Sequence, residues 1–396
     1  MTETLPPLQL ATRMSRLGTE TAFEVLARAR ELEARGRDIV HLEIGEPDFD
    51  TPENIVEAGV RALREGWTHY GPAAGLPQAR EAIAEYAGGM RGVEVRPEEV
   101  CIVPGGKPVM FYALLALAQE GDEVIFPNPG FPIYESMIRF TGATPVSCPI
   151  REENGFALDP EDILSRLTDR TRMVILNSPA NPTGGVTGRA ELEAVLSALR
   201  DRPEIWILSD EIYGRLLYDG VEHVSPLSDP ALRDRVILLD GFSKTYAMTG
   251  WRLGFGIMRP DLCAMVAKLM VNSNSCTASF TQMAGIEAVR GPQDAVDRMR
   301  EEFDRRRRRI VGLLNELPGV RCHLPQGAFY VFPNIRGTGL SSQELQDRLL
   351  DEAGVAALAG TSFGAEGEGY LRFSYAASIP AIEEGIRRFR EFLERL

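Results

Sequence analysis

A lysine and an arginine eight residues apart give the strongest chemical signal in this sequence: Lys244 follows Ser243, and Arg252 closes the segment Thr249-Gly-Trp-Arg252. A lysine at a strand end that faces a closed site loses hydration, which lowers the pKa of its amine and lets the amine attack a carbonyl. An arginine nearby supplies a planar fork of N–H donors for a phosphate. Because the flanking residues show none of the alternation typical of an exposed face, we expect Lys244 to lie in a site.

Three further motifs carry groups that complement this pair. Gly105-Gly106-Lys107 precedes a predicted helix, where backbone N–H groups suit an anion. It is not a nucleotide P-loop, because Pro108 follows the lysine instead of Ser or Thr. Asn181-Pro-Thr-Gly184 and Asp210-Glu-Ile-Tyr213 offer amide, carboxylate and hydroxyl groups. Taken singly, the glycines and the Asn181 segment are also compatible with plain turns, and Asp210 with a structural salt bridge.

Together with the aromatic ring of Phe131, these motifs describe the binding site of one cofactor. They supply a phosphate cradle, a carboxylate, hydroxyl and amide donors, an aromatic plate and a lysine that reacts with carbonyls. Pyridoxal phosphate uses each of these, since it binds a lysine covalently through its aldehyde and pairs its ring nitrogen with an acidic partner. The sequence therefore predicts a pyridoxal phosphate site.

The motifs lie at the ends of short apolar runs that alternate with helical patterns. Such alternation predicts a parallel α/β sheet covered by helices on both faces, with ligands outside the carboxyl ends of the strands. The runs that we predict as its strands are 101–103, 123–126, 145–150, 173–176, 205–208 and 236–239. Residues 318–396 predict a smaller α+β unit. The helix predicted at 293–317 carries Arg305 to Arg309, which we interpret as a solvated face and not as a nucleic-acid site.

Composition narrows the classes of protein that remain. The chain has 396 residues and a formal net charge of −14, which disfavours nucleic acid as a partner. It shows neither a run of about 18 apolar residues nor a basic-then-apolar N-terminus, so we expect no membrane span and no signal peptide. The five cysteines form no C-x-x-C pair, and the four histidines share no metal-ligand spacing. We therefore expect a cytoplasmic protein with buried, reduced thiols and no metal centre.

Three motifs follow one another in an order typical of one enzyme family. They are Asn-Pro-x-Gly at 181–184, Asp-x-x-Tyr at 210–213 and Ser-Lys-x-x-x-Met-x-Gly-x-Arg at 243–252. On these motifs the chain resembles the class I and II pyridoxal-phosphate aminotransferases of fold type I, close to the bacterial aspartate aminotransferases. The similarity extends from Gly45 to Tyr375. It implies a large domain at 46–288, with a mostly parallel seven-stranded sheet, and a smaller α+β domain from 1–45 and 289–396.

The resemblance also implies roles for single residues. The implied catalytic residues are Lys244, which binds the cofactor and moves the substrate proton, Asp210, which keeps the ring nitrogen protonated, and Tyr213. Tyr213 and Asn181 hydrogen-bond the phenolic oxygen of the ring, while Phe131 stacks on the ring where many relatives have Trp or Tyr. The implied phosphate-binding residues are Gly105, Gly106, Lys107, Ser243 and Arg252, joined by Tyr70 of a neighbouring subunit.

For the substrate, the resemblance implies that Arg372 grips the α-carboxylate, helped by Asn181 and the backbone of Gly45. Because Tyr70 can reach a phosphate only across a subunit interface, a homodimer with shared active sites is implied as well. Lys107 stands where the bacterial aspartate enzymes use a lysine for the distal carboxylate.

The implied reaction is ping-pong transfer of an amino group from an L-amino acid, aspartate or glutamate, to a 2-oxo acid such as 2-oxoglutarate. Pro108 and the apolar segment 130–134 keep a neutral or aromatic amino donor open as an alternative. The same fold also hosts β-lyases. A non-enzymatic regulator that senses pyridoxal phosphate would need a DNA-binding extension, for which the stretch before the first predicted helix leaves little room.

Overall fold

A computed structural model describes residues 8–396, and a seven-stranded sheet lies at its centre. The strands of the described residues are β1 (Val40–His41), β2 (Val100–Val103), β3 (Glu123–Asn128), β4 (Thr144–Pro149), β5 (Thr171–Asn177), β6 (Trp206–Asp210), β7 (Val236–Gly241), β8 (Gly254–Ile257), β9 (Tyr330–Val331), β10 (Val355–Ala356), β11 (Leu358–Ala359) and β12 (Leu371–Ser374). The helices are α1 (Thr21–Ala34), α2 (Glu53–Arg64), α3 (Pro77–Arg91), α4 (Lys107–Leu117), α5 (Ile133–Thr141), α6 (Pro160–Leu164), α7 (Arg189–Arg200), α8 (Pro260–Val271), α9 (Ser279–Arg290), α10 (Asp294–Leu314), α11 (Ser342–Arg348) and α12 (Ile379–Leu393).

The central sheet has the strand order β2-β8-β7-β6-β5-β3-β4 and is mostly parallel, as predicted. Its inner strands are apolar and buried, because helices cover both of their faces. One apolar cluster joins α2, α3, α7 and α9 to one face, and a second joins α4, α5 and α8 to the other. The arrangement is the α/β fold that the alternating sequence pattern indicates.

Strand β8 and helix α9 were not among the predicted elements. Strand β8 runs antiparallel to both of its neighbours, β2 and β7. Its sequence Gly254-Phe-Gly-Ile is typical of a turn, but the first glycine is required because the loop at Gly105 passes close to its Cα. A Cβ at Gly254 would lie 2.5 Å from the carbonyl carbon of Gly105, so only a glycine lets the strand pass this loop.

A second assembly of short strands contains elements from both ends of the chain. Strand β1 pairs in parallel with β10, while β12 lies between β11 and β9 in an antiparallel sheet. An apolar cluster joins Val40 and Leu42 to residues of α10 and α12. The division into domains at 46–288 and at 1–45 with 289–396 stays a prediction.

The interpretation of Arg305 to Arg309 as a solvated face is wrong at two positions. Arg306 and Arg307 are buried. Arg306 forms an ion pair with Asp48 at 2.6 Å, and Arg307 forms one with Asp219 at 2.8 Å. Both positions fall on the inner face of α10, where a charged side chain is tolerated because each has a carboxylate partner.

Two other features bear on the expectations from composition. The cysteines are free thiols, and four of them are buried: Cys101, Cys148, Cys263 and Cys322. Within residues 8–396, no helix is both long and apolar enough to cross a membrane.

Candidate active site

A cavity of about 540 Å³ opens at the carboxyl edge of the central sheet. Strands β5, β6 and β7 end side by side there, because Asn177 pairs in register with Asp210, and Asp210 with Leu239. Loops that follow these strands bring the predicted site residues together, as parallel topology requires. The predicted residues that line the cavity are Gly45, Gly106, Lys107, Phe131, Asn181, Asp210, Tyr213, Ser243, Lys244, Arg252 and Arg372.

Lys244 lines this cavity and is half-buried. Burial, opposed by the negative charge of Glu46 and helped by the positive charge of Arg372, lowers the pKa of its amine to about 8. The amine donates a hydrogen bond to the carbonyl oxygen of Gly45 and lies 5.7 Å from the ring centre of Phe329. A half-buried amine with a lowered pKa has the neutral form available for attack on a carbonyl, as the sequence predicts.

Asp210 is buried at the end of β6 without an ion-pair partner among the described residues. Burial raises the pKa of its carboxyl to about 6, although two hydrogen bonds oppose the rise. The hydroxyl of Tyr134 donates to Oδ2 at 2.7 Å, and the backbone N–H of Ile212 donates to Oδ1 at 3.2 Å. Sequence reasoning missed Tyr134, although its place three residues after Phe131, one turn along, could have suggested it.

Tyr213 donates or accepts a hydrogen bond with the hydroxyl of Tyr330, at an oxygen–oxygen distance of 2.8 Å. Burial raises the pKa of both phenols, so both are neutral donors. Tyr330 also explains the glycine at 45, since a Cβ there would lie 2.1 Å from the Tyr330 hydroxyl. No local pattern could have placed Tyr330 here, because it lies 117 residues beyond Tyr213.

The predicted phosphate cradle forms where β2 leads into α4. Gly105 has a φ of +84°, and a Cβ there would lie 2.1 Å from Nη2 of Arg252. Gly105 does not line the cavity itself, but it makes room for this guanidinium. Gly106 precedes the first turn of α4, where Pro108 has no N–H and the N–H of Val109 donates to the Gly106 oxygen at 3.0 Å, so the N–H groups of Gly106 and Lys107 are the ones left for an anion.

Arg372 lies buried on the opposite wall. It donates to Asn181 Oδ1 at 3.0 Å and to the backbone oxygen of Glu43. Its guanidinium carbon is 4.4 Å from the ring centre of Tyr330 and 4.8 Å from that of Phe363. Burial lowers its pKa, and the Nε atom has no hydrogen-bond partner within the described part of the chain. A buried arginine bonded only to neutral oxygens retains its charge for an anion.

Lys107 lies at the mouth of the cavity, where its amine forms an ion pair with Glu20 just before α1. The amine also lies 5.3 Å from the ring centre of Phe131. Glu20 was not among the predicted site residues, since no motif connects it with the phosphate loop. Tyr70 is the predicted site residue that stands apart, because its side chain is 90% exposed and does not line the cavity.

These residues fit pyridoxal phosphate. Among residues 8–396, Asp210 is a buried acid without a cationic partner and Lys244 is a half-buried amine without a carboxylate partner, while Gly105 makes room for the guanidinium of Arg252. Each has the unmet pairing that the ring nitrogen, the aldehyde and the phosphate would satisfy. Fold and cavity together define a pyridoxal-phosphate enzyme of fold type I.

The comparison with known proteins identifies the family within this class. A family model for aminotransferases of class I and II matches residues 37–389, and the chain belongs to that family. An aspartate aminotransferase of Pyrococcus horikoshii is 42% identical over 94% of each chain. A probable aspartate/prephenate aminotransferase of Aquifex aeolicus is 40% identical over 98% of this chain and 99% of the relative.

Solved structures agree. The aspartate aminotransferase of Thermus thermophilus with maleate superposes with a TM-score of 0.93 at 36% identity, covering 97% of this chain and 100% of that one. An aromatic aminotransferase of Pyrococcus horikoshii superposes with a TM-score of 0.88 at 39% identity, covering 93% and 99%. The protein is thus a pyridoxal-phosphate-dependent aminotransferase, and transamination prevails over the β-lyase and regulator alternatives.

Proposed function

We propose that this aminotransferase moves the amino group of aspartate or glutamate to a 2-oxo acid such as 2-oxoglutarate in a ping-pong reaction. The observation that carries the proposal is the pair of cations at two places in one cavity, Arg372 on its wall and Lys107 at its mouth. Two cations suit a substrate with two carboxylates. The names of the relatives, which include aspartate aminotransferases, support the same substrate class.

The cofactor would be held by residues at the strand ends. Lys244 would bind its aldehyde, Asp210 would hold the proton of the ring nitrogen, and Phe131 would cover a ring face. Tyr213 and Asn181 would hydrogen-bond the phenolic oxygen. The phosphate would be bound by Gly105, by the backbone N–H groups of Gly106 and Lys107, and by Ser243 and Arg252. When bound, pyridoxal phosphate supplies a ring that delocalises the electron pair left at the substrate Cα.

Lys244 would then act as the acid–base group of the reaction. A pKa of about 8, set by burial, leaves a useful fraction of its amine neutral near neutral pH. The neutral amine would take the proton from the substrate Cα and deliver it to the exocyclic carbon of the cofactor. Asp210 would keep the ring nitrogen protonated only while its own carboxylate is charged, and the hydrogen bonds from Tyr134 and Ile212 favour that charged form.

Arg372 would bind the substrate α-carboxylate through its guanidinium fork. Its existing partners, Asn181 and the backbone of Glu43, orient the fork without neutralising it. The rings of Tyr330 and Phe363 exclude water from its faces, which strengthens its attraction for an anion.

A neutral or aromatic donor is the second candidate, because Glu20 already pairs with Lys107. A dicarboxylate has to displace the carboxylate of Glu20 from that amine. A donor with an apolar side chain leaves the pair intact and can pack against Phe131, whose ring lines the same cavity. The likeness to a structure titled as an aromatic aminotransferase supports this reading.

We also propose a cytoplasmic homodimer with shared active sites. The support for the dimer is Tyr70, whose ring is exposed in its own chain and would reach the phosphate of a neighbouring subunit. The proposed small domain, 1–45 with 289–396, carries Glu20 and Arg372, whereas the proposed large domain, 46–288, carries Lys107 and Lys244. A movement between the two would close the cavity over the substrate.

A donor panel tests the substrate class. The holoenzyme is assayed with aspartate, glutamate, alanine and phenylalanine at saturating 2-oxoglutarate, beside the variants Lys107→Met and Glu20→Gln. We expect Lys107→Met to raise KM for aspartate about 10-fold or more, the loss of one charge-assisted contact, and to leave KM for alanine unchanged. Glu20→Gln should lower KM for aspartate a few-fold. A parent enzyme that prefers phenylalanine, and whose KM for aspartate ignores Lys107, would refute the dicarboxylate proposal.

A further inference from the structure

A buried carboxylate without a place in the proposed chemistry lies beside the substrate fork. The side chain of Glu43 is fully buried, and its Oε2 has no hydrogen-bond partner among the described residues. Its Oε1 is 2.8 Å from Nδ1 of His41, and its backbone oxygen accepts a hydrogen bond from Arg372. Burial of a charge without a counter-charge is costly, so this carboxylate depends on its neighbours.

His41 supplies the counter-charge. The hydrogen bond to Glu43 raises the pKa of His41 to about 9, against the opposing effect of partial burial, so the imidazole is charged at neutral pH. Its other nitrogen, Nε2, lies 3.2 Å from a carboxylate oxygen of Glu33 on α1. Both ring nitrogens therefore donate, as a charged imidazole requires.

The negative charge of Glu43 also acts on Arg372 through the electrostatic field. Burial lowers the pKa of Arg372, and Tyr330, Tyr213, Glu20 and, to the smallest extent of these four, Glu43 oppose that shift. Glu43 forms no ion pair with Arg372, and His41 is its ion-pair partner. If the imidazole were absent, the field of the carboxylate would fall on the guanidinium without compensation.

We propose that His41 is a positioning residue that neutralises Glu43 and thereby keeps the full charge of Arg372 available for the carboxylate of the substrate. The inference rests on the proposed role of Arg372 as the α-carboxylate fork. His41 and Glu43 do not line the cavity, so the affinity for the substrate carboxylate would depend on residues behind Arg372 as well as on Arg372 itself.

The test is a mutant cycle on the holoenzyme, with His41→Gln, Glu43→Gln and the double variant. The readouts are kcat, KM for aspartate and the inhibition constant of maleate, an unreactive dicarboxylate. We expect His41→Gln to raise both constants about tenfold, because it leaves an uncompensated charge near the fork, and to change kcat little. The double variant should return both constants to parental values. Glu33→Gln is the matched control, since it removes the other partner of His41 and should leave both constants unchanged.

A packing role for His41 gives a different pattern. If the double variant binds maleate as weakly as His41→Gln, or more weakly, the inference is wrong. If His41→Gln fails to fold, Glu43→Gln alone decides, since a raised maleate constant in that folded variant contradicts the inference. Arg372→Lys separates the two levels: an unchanged KM there overturns the proposed fork itself, whereas a raised KM there with a parental His41→Gln overturns only the role of His41.

Discussion

Removal of the Tyr134 hydroxyl tests the electrostatics of the cofactor site. That hydroxyl donates a hydrogen bond of 2.7 Å to Asp210, and both residues are buried. A hydrogen bond to a charged group contributes about 1.5–3 kcal/mol, more than one between neutral groups. Tyr134→Phe deletes one oxygen atom and leaves the backbone N–H of Ile212 as a donor to this carboxylate.

The direction of the effect follows from the charged form of Asp210. The Tyr134 hydrogen bond lowers a pKa that burial has raised to about 6, so its loss raises that pKa further. A larger fraction of Asp210 is then protonated at neutral pH, and a neutral acid cannot stabilise a protonated ring nitrogen. We expect kcat at pH 7 to fall about 2- to 15-fold, because a bond of that energy raises the pKa of Asp210 by about one to two and so reduces its charged fraction by that factor, with a smaller loss at alkaline pH.

The assay is kcat against pH for the holoenzyme at saturating substrates and cofactor. The acid limb of the profile should move to higher pH in Tyr134→Phe. Tyr112→Phe is the matched control, because it also removes the hydroxyl of a buried tyrosine. That hydroxyl lies 2.6 Å from Ser273 Oγ and forms no hydrogen bond with Asp210. A Tyr134→Phe enzyme with the parental profile, or an equal shift in Tyr112→Phe, would refute the reasoning.

Two further substitutions test the buried Arg91 and the exposed Tyr70. Arg91→Leu removes the guanidinium that pairs with Glu211 at 2.8 Å and Asp240 at 3.0 Å, and two buried carboxylates should then cost about 3–5 kcal/mol of folding free energy. Urea denaturation measures this, and an unchanged midpoint contradicts it. Tyr70→Phe should raise the dissociation constant of pyridoxal phosphate about tenfold, if its hydroxyl binds a phosphate of the other subunit. Equilibrium dialysis with the cofactor decides, since a parental constant would argue against a shared site.

The residues that stand at strand ends could be predicted because local composition marks those ends. Asp210 comes two residues after the apolar run 205–208, and parallel pairing then brings it beside Asn177 at one edge of the sheet. The antiparallel strand β8 could not be predicted, since its glycines are typical of turns. The first of them, Gly254, is required by a close contact with Gly105, which lies far away in sequence.

The partners of the site residues were harder to predict than the residues themselves. Tyr330 meets Tyr213, and Glu20 meets Lys107, only because elements distant in sequence fold against one another. The misassigned Arg306 and Arg307 show the same limit. A run of arginines indicates charge, but the carboxylates that allow two of them to be buried, Asp48 and Asp219, lie elsewhere in the chain.

Some residues of the cavity lie at strand ends and others at helix beginnings, and this difference decides which of them can be substituted without loss of the fold. Asp210 ends a strand of the central sheet, and Lys244 follows the end of another. Lys107 begins a helix, while Glu20 and Phe131 lie just before helices. Substitutions at helix beginnings disturb few packed neighbours, whereas strand ends belong to the core. Laboratory evolution toward new amino donors can therefore substitute residues at the cavity mouth, such as Glu20, while Asp210 and Lys244 stay in place.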